Sequence, residues 1–151
     1  MKKIEILYLD DMAVRHEKFE TDALRVAYQL GINIEITHVW TSDEAISVLS
    51  NQKKSFDVIS LDHDLRDEHY EDLEAAAESG KGTGFEVAKF LSENPEKVGH
   101  HTFVLIHSWN IVGAENMQFV LRKGNIVSNS IRYGNHIWMF QVFKAITDDA
   151  Q

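Results

Sequence analysis

Residues Phe56–Leu65 read FDVISLDHDL. The stretch begins as an unbroken apolar run with β-branched Val58 and Ile59, the pattern of a strand buried on both faces. It ends in Asp62-His63-Asp64, three polar side chains directly after Leu61. Carboxylates and an imidazole at the tip of a buried strand are costly unless something pairs with them. In open α/β sheets, ligands bind outside the carboxyl ends of the strands, where this triplet would lie. Asp62, His63 and Asp64 are therefore the first candidates for a site.

Working outward, the chain alternates strand and helix. On the N-terminal side, Ile4 to Leu9 is a short apolar run closed by Asp10-Asp11. From Arg15 to Leu30, Phe19, Ala23, Val26, Ala27 and Leu30 fall on one helical stripe that Gly31 stops. Ile34 to Val39 reads as a second strand, and Thr41 with Glu44 forms a capping box opening a helix to about Leu49. On the C-terminal side, Asp67 to Glu78 carries six acids and no lysine or arginine, which suits a solvated insertion within residues 66–82. Gly80 to Gly84 lacks the spacing of a phosphate-binding P-loop and reads as a hinge. Thr83 and Glu86 make a second capping box for a helix to about Leu91. Phe103 to Ile106 reads as the fourth strand, ending in His107-Ser108-Trp109-Asn110. Ala114 to Arg122 is a helix stopped by Gly124, and Ile126 to Ile131 a fifth strand. His136 to Ile146 leans to helix, leaving residues 124–151 as an extension of uncertain structure.

This order predicts one α/β domain over residues 1–151, a doubly wound, mostly parallel sheet with helices on both faces. With right-handed crossovers the strand order is the flavodoxin-like 2-1-3-4-5. Strands 1, 3 and 4 are then neighbours, and Asp10-Asp11, Asp62-His63-Asp64 and His107-Ser108-Asn110 converge on one edge.

Composition narrows the partners. The 151 residues carry a net charge of −9, which excludes the broad basic surface that duplex DNA requires. A small phosphate ester or an RNA end remains if a cation screens the acids. The chain has no cysteine, so thiolate ligands and a cysteine nucleophile are excluded, and a reducing cytoplasm is the expected setting. No apolar run approaches the roughly 20 residues of a membrane span. The sequence leaves the oligomeric state open.

Carboxylates packed together need a cation or protons to coexist. A hard divalent ion held by Asp10, Asp11, Asp62 and Asp64 is the simplest resolution; nearby histidines extend the choice from magnesium to manganese. Imidazole is the side chain best suited to acid–base work near neutral pH, which makes His63 and His107 candidates for acid–base catalysis. Ser108 and Asn110 suit hydrogen bonding to phosphate oxygens, and Arg15 either binds phosphate or pairs with a neighbouring acid. Plainer readings stand beside these: Asp10-Asp11 as a turn or helix cap, His107 as a hydrogen-bonded strand-end residue, His100-His101 as a surface pair. Trp40, Trp109 and Trp138 read as core or rim residues rather than base-stacking platforms.

With its acidic tips the chain resembles a response-regulator receiver domain: Asp10-Asp11 match the magnesium-holding pair, Asp62 the phospho-accepting aspartate, and Ser108 the hydroxyl after strand four. Receivers do not normally follow the acceptor with His-Asp, and Arg132 is a poor substitute for their lysine after strand five. The chain is more closely similar to the cyclic-phosphate processing receiver domain family. LDD at Leu9–Asp11, TSDEAISVL at Thr41–Leu49, ISLDHDL at Ile59–Leu65, GTGFEV at Gly82–Val87 and HSWNIVGAENM at His107–Met117 carry that resemblance in order. The arginine usual near the Asp pair stands further off, at Arg15, and Ile111 occupies a proline position. The resemblance implies a metal-dependent phosphoesterase acting on 2′,3′-cyclic phosphates of RNA ends, as in RNA repair, or of small nucleotides. The alternatives are a phospho-accepting signalling domain with Asp62 as acceptor, or a non-catalytic nucleotide- or protein-binding module.

Overall fold

The computed structural model describes residues 3–51, 53, 55–65, 83–132 and 134–149. Strands β1 (Lys3–Leu9), β2 (Asn33–Val39), β3 (Val58–Leu61), β4 (Phe103–His107) and β5 (Ser128–Ile131) form one sheet. The order is β2-β1-β3-β4-β5 and every pairing is parallel, the arrangement the alternation of elements predicts. The helices are α1 (Ala13–Leu30), α2 (Ser42–Asn51), α3 (Gly84–Glu93), α4 (Ile111–Lys123) and α5 (Trp138–Asp149), with a 3₁₀ turn at Pro95–Lys97. The acidic run from Asp67 to Glu78 and the glycines at 80 and 82 lie outside the described residues.

Because successive strand residues point to opposite faces, the sheet builds two cores. Ile4, Ile6, Tyr8, Val58 and Leu105 face α1 and α5, where they meet Phe19, Ala23, Ala27, Met139, Phe143 and Ile146. Leu7, Leu9, Ile59, Leu61, Val104 and Ile106 face the other way, against Leu49, Val87, Leu91, Met117 and Leu121 of α2, α3 and α4. Each such side chain, fully buried, contributes about 1.5–3 kcal/mol. The segment after Gly124 is thus integral to the fold: it supplies β5 and the helix that covers one face of the sheet. Asp22, buried on α1, accepts from His136 Nδ1 at 2.6 Å and from Lys18 and Arg25, tying the approach to α5 onto α1.

Local signals explain where the elements begin. Thr41 Oγ1 accepts from Glu44 N at 3.1 Å, capping α2 as its sequence predicts. Thr83 Oγ1 accepts from Phe85 N, while the Glu86 carboxylate accepts from Ser42 Oγ and so links α3 to α2. Helix α4 starts three residues before the expected Ala114, because Asn110 Oδ1 accepts from Gly113 N at 2.8 Å and caps the turn.

Candidate metal and phosphate site

The register of the sheet assembles the site. Leu9 pairs with Leu61, and Leu61 with Ile106, so the next residues, Asp10, Asp62 and His107, leave three adjacent strands side by side. All three are buried, at 0%, 1% and 3% exposure. One ligand atom from each lies within 4.8 Å of the others, a spacing that suits a single metal ion.

His107 is fixed at both ring nitrogens. Nε2 lies 3.2 Å from Asp10 Oδ2, and Nδ1 2.7 Å from Ser60 Oγ. Tyr8 stacks on the imidazole with 4.7 Å between centroids, and its hydroxyl donates to Asp10 Oδ2 at 3.3 Å. Burial lowers the His107 pKa and keeps the ring neutral, the form that ligates metals. A hydroxyl both donates and accepts. Ser60 therefore satisfies Nδ1 in either tautomer, whether Nε2 carries its proton to Asp10 or offers its lone pair to a cation.

The two carboxylates part company. Burial raises both pKa values, but at Asp10 the His107 hydrogen bond, the Met12 N–H at 3.0 Å and the Arg15 charge outweigh it, so Asp10 stays ionised. Asp62 has weaker support: burial, together with the charges of Asp10 and Asp11, pushes it up to about 8. A cation bound between these groups would reverse that, and the donor set of two carboxylates and one neutral imidazole fits magnesium or manganese.

Among the described residues, Arg15 brings a guanidinium against both acids. Its Nη1 lies 3.3 Å from Asp62 Oδ2 and 3.6 Å from Asp10 Oδ2. It sits in the first turn of α1, where the helix dipole disfavours a cation. Its pairing with both acids offsets that cost.

A second polar cluster flanks the first. His63 Nδ1 lies 2.8 Å from Asp64 Oδ1, which also accepts from Asn110 Nδ2 at 3.2 Å. This joins the tip of β3 to the start of α4. Two glycines make the close approach possible. A Cβ at Gly113 would fall 2.6 Å from the His63 ring, and one at Gly84 would fall 1.9 Å from the Asp62 carbonyl oxygen.

Of the nine residues singled out in the sequence, Asp10, Asp62, His107 and Arg15 meet in one cluster, with the Asp11 charge acting on Asp62. His63, Asp64 and Asn110 form the second cluster, and the Asp64 side chain is 55% exposed, outside the group of convergent ligand atoms. Ser108 is buried and its Oγ accepts from Asn110 N at 3.0 Å, shaping the loop between β4 and α4. Arg132 is exposed. Sequence reasoning missed Tyr8, Ser60 and His16. His16 Nε2 approaches the Asp10 carbonyl oxygen at 2.8 Å, and its Nδ1 approaches His38 at 2.7 Å. Ser60 did leave a signal, as a lone hydroxyl inside an apolar strand.

A parallel sheet in this order, with acids at the tips of β1 and β3, defines a receiver-type domain. The fold agrees with solved receiver domains. One from Clostridium thermocellum aligns with a TM-score of 0.56 at 16% identity, covering 97% of each chain. A two-component response regulator from Legionella pneumophila gives 0.55 at 21% identity, covering 94% of this chain and 98% of its own. A signal receiver domain from Vibrio parahaemolyticus gives 0.54 at 17% identity, covering 97% and 88%. Residues 5–123 match the cyclic-phosphate processing receiver domain, and the chain belongs to that family. No significant match is found among curated proteins. No helix among the described residues is long and apolar enough to cross a membrane.

Proposed function

We propose that the chain is a metal-dependent phosphoesterase that opens cyclic phosphates, with a 2′,3′-cyclic phosphate on an RNA end or a small nucleotide as substrate. The observation that carries this reading is the convergence of Asp10, Asp62 and His107 within 4.8 Å, beside Arg15, in a member of this family. Asp10, Asp62 and His107 would hold a magnesium or manganese ion, with Asp11 adding charge beside them and Asp64 acting through His63. When bound, such an ion polarises a phosphoryl oxygen.

The remaining steps belong to the protein. Arg15, whose guanidinium lies beside Asp10 and Asp62, would bind a non-bridging phosphate oxygen. Asp64 accepts the His63 Nδ1 proton and so leaves Nε2 as the acceptor, the tautomer a general base needs. A water oxygen bonds to phosphorus as His63 takes its proton. One ring P–O bond breaks, and His63 returns the proton it took from water to the released sugar oxygen. Ser108 and Asn110 provide hydrogen bonds along the β4–α4 loop. The setting expected from the absent cysteines is the cytoplasm.

The test is hydrolysis of 2′,3′-cyclic nucleotides with magnesium, manganese or chelator, beside Asp62→Asn and His63→Ala. The reading expects metal-dependent turnover that both variants lose. Absence of turnover with every metal would overturn it.

A second reading is supported by the position of Asp62 at the tip of β3 in a receiver fold. Asp62 would then accept a phosphoryl group, and beryllofluoride would form an adduct that Asp62→Asn abolishes.

A further inference from the structure

The carboxyl edge of the sheet carries large apolar side chains that its fold does not use. Trp109 is 62% exposed and Trp40 37%, and Met12, Ile111 and Val112 are exposed beside them. Met12 and Trp109 stand in loops that also carry site residues, and Trp40 stands beside a carbonyl that Asp10 bonds. Met12 donates its N–H to Asp10; Trp40 follows Val39, whose carbonyl accepts from Asp10 N; Trp109 follows His107 by two residues. Two peptide units span at most about 7.6 Å between Cα atoms. The Trp109 backbone is thus held within one nucleoside's length of the buried His107.

The two tryptophans have different standing. Trp40 is already covered on one face by His16, with ring centroids 3.8 Å apart. Trp109 has no ring contact among the described residues. Exposed apolar surface next to convergent polar groups is a feature of ligand-binding sites. The wholly polar ester of a sugar phosphate would leave this surface uncovered. A protein partner needs a continuous apolar patch, whereas Met12, Trp40 and Trp109 stand in three separate loops, after β1, β2 and β4. A nucleotide fits both parts, with its phosphate at Arg15 and a flat base beside it. The net charge of −9 favours one such ester over a long polyanion.

We propose that Trp109 is the platform on which the substrate's nucleobase stacks, so that it selects base-bearing cyclic phosphates over base-free ones. The proposal rests on the phosphoesterase reading of the same site. It replaces the plainer reading of Trp109 as a core or rim residue.

The experiment is calorimetric titration, with magnesium present, of Asp62-intact wild type, Trp109→Ala and Trp109→Phe with two probes: adenosine 2′,3′-cyclic phosphate and ribose 2,3-cyclic phosphate. Circular dichroism checks the fold of each variant. Trp109→Ala is expected to weaken the nucleotide about tenfold to a hundredfold, the usual worth of one base on one aromatic ring. The base-free probe should bind wild type and Trp109→Ala equally, and Trp109→Phe should keep most of the nucleotide affinity. Equal loss for both probes, or no loss for either, overturns the platform. Failure of wild type to bind either probe strikes the phosphate-site reading itself, and the platform falls with it.

Discussion

Arg15 Nη1 lies 3.3 Å from Asp62 Oδ2, so a guanidinium from the first turn of α1 bonds the carboxyl group at the tip of β3, 47 positions away. The guanidinium sits where a divalent cation would compete with it. Arg15→Gln removes the counter-charge of two buried acids. A loss of about 1–3 kcal/mol, or roughly 3–8 °C in melting temperature, is expected in chelator. Added magnesium should restore most of it. Scanning calorimetry with and without the metal checks both halves, and an equal deficit under both conditions would count against competition.

Asp62 makes the metal-free chain sensitive to pH. Its pKa rises from 3.8 to about 8 on folding, because burial and the Asp10 and Asp11 charges disfavour the anion. Between those values the folded chain holds a proton that the unfolded chain has released, so this group's contribution falls as pH rises through that window. Below about pH 4 and above about pH 8 it is flat. In chelator, Asp62→Asn should therefore raise the melting temperature at pH 8 by about 2–5 °C, with the gain shrinking towards pH 4. Melting curves across that range decide the matter; a gain independent of pH contradicts the assignment.

The two tight glycines should fail differently. A methyl at Gly84 meets the backbone carbonyl of Asp62 at 1.9 Å, which only movement of α3 or β3 relieves. Gly84→Ala is expected to destabilise the fold by several kcal/mol or to abolish it. A methyl at Gly113 meets the His63 ring, which can rotate away. Gly113→Ala should cost about 1–2 kcal/mol yet strongly reduce turnover, measured by denaturant melts beside the hydrolysis assay.

Ser60→Ala leaves the His107 Nδ1 atom without its buried partner, which is 2.7 Å away in the native chain. Outer hydrogen bonds of this kind hold ligand rings in place. Losing one typically weakens metal affinity about 10- to 100-fold. Manganese titration should show that drop with a stability loss near 1–3 kcal/mol. Unchanged affinity would separate His107 from the metal.

The architecture was legible because apolar runs, caps and turn glycines alternate cleanly, and because a parallel sheet forces the tips of strands 1, 3 and 4 together. That same logic brings Asp10-Asp11, Asp62-His63-Asp64 and His107-Ser108-Asn110 to one edge, but it does not single out Asp10, Asp62 and His107 from them. The division of labour was not legible. Spacing along FDVISLDHDL puts Asp62, His63 and Asp64 in one tip, but the strand ends at Leu61 and the chain turns there, so Asp62 meets Arg15 while His63 and Asp64 meet Asn110. Tyr8 is one letter in the apolar run Ile4 to Leu9, and nothing local reveals that it stacks on a ring from β4. The start of α4 was misjudged because Asn110 was read only as a phosphate contact, although it also caps the helix. Residues 124–151 lacked a clear period because β5 is an exposed edge strand and α5 buries only one narrow stripe.

The central claim is that Asp10, Asp62 and His107 form one cation site, and manganese binding followed by electron paramagnetic resonance tests it most directly. The account predicts one ion bound per chain, with binding lost or severely weakened in Asp62→Asn and in His107→Ala while both variants remain folded. Undiminished manganese binding by both folded variants would contradict it.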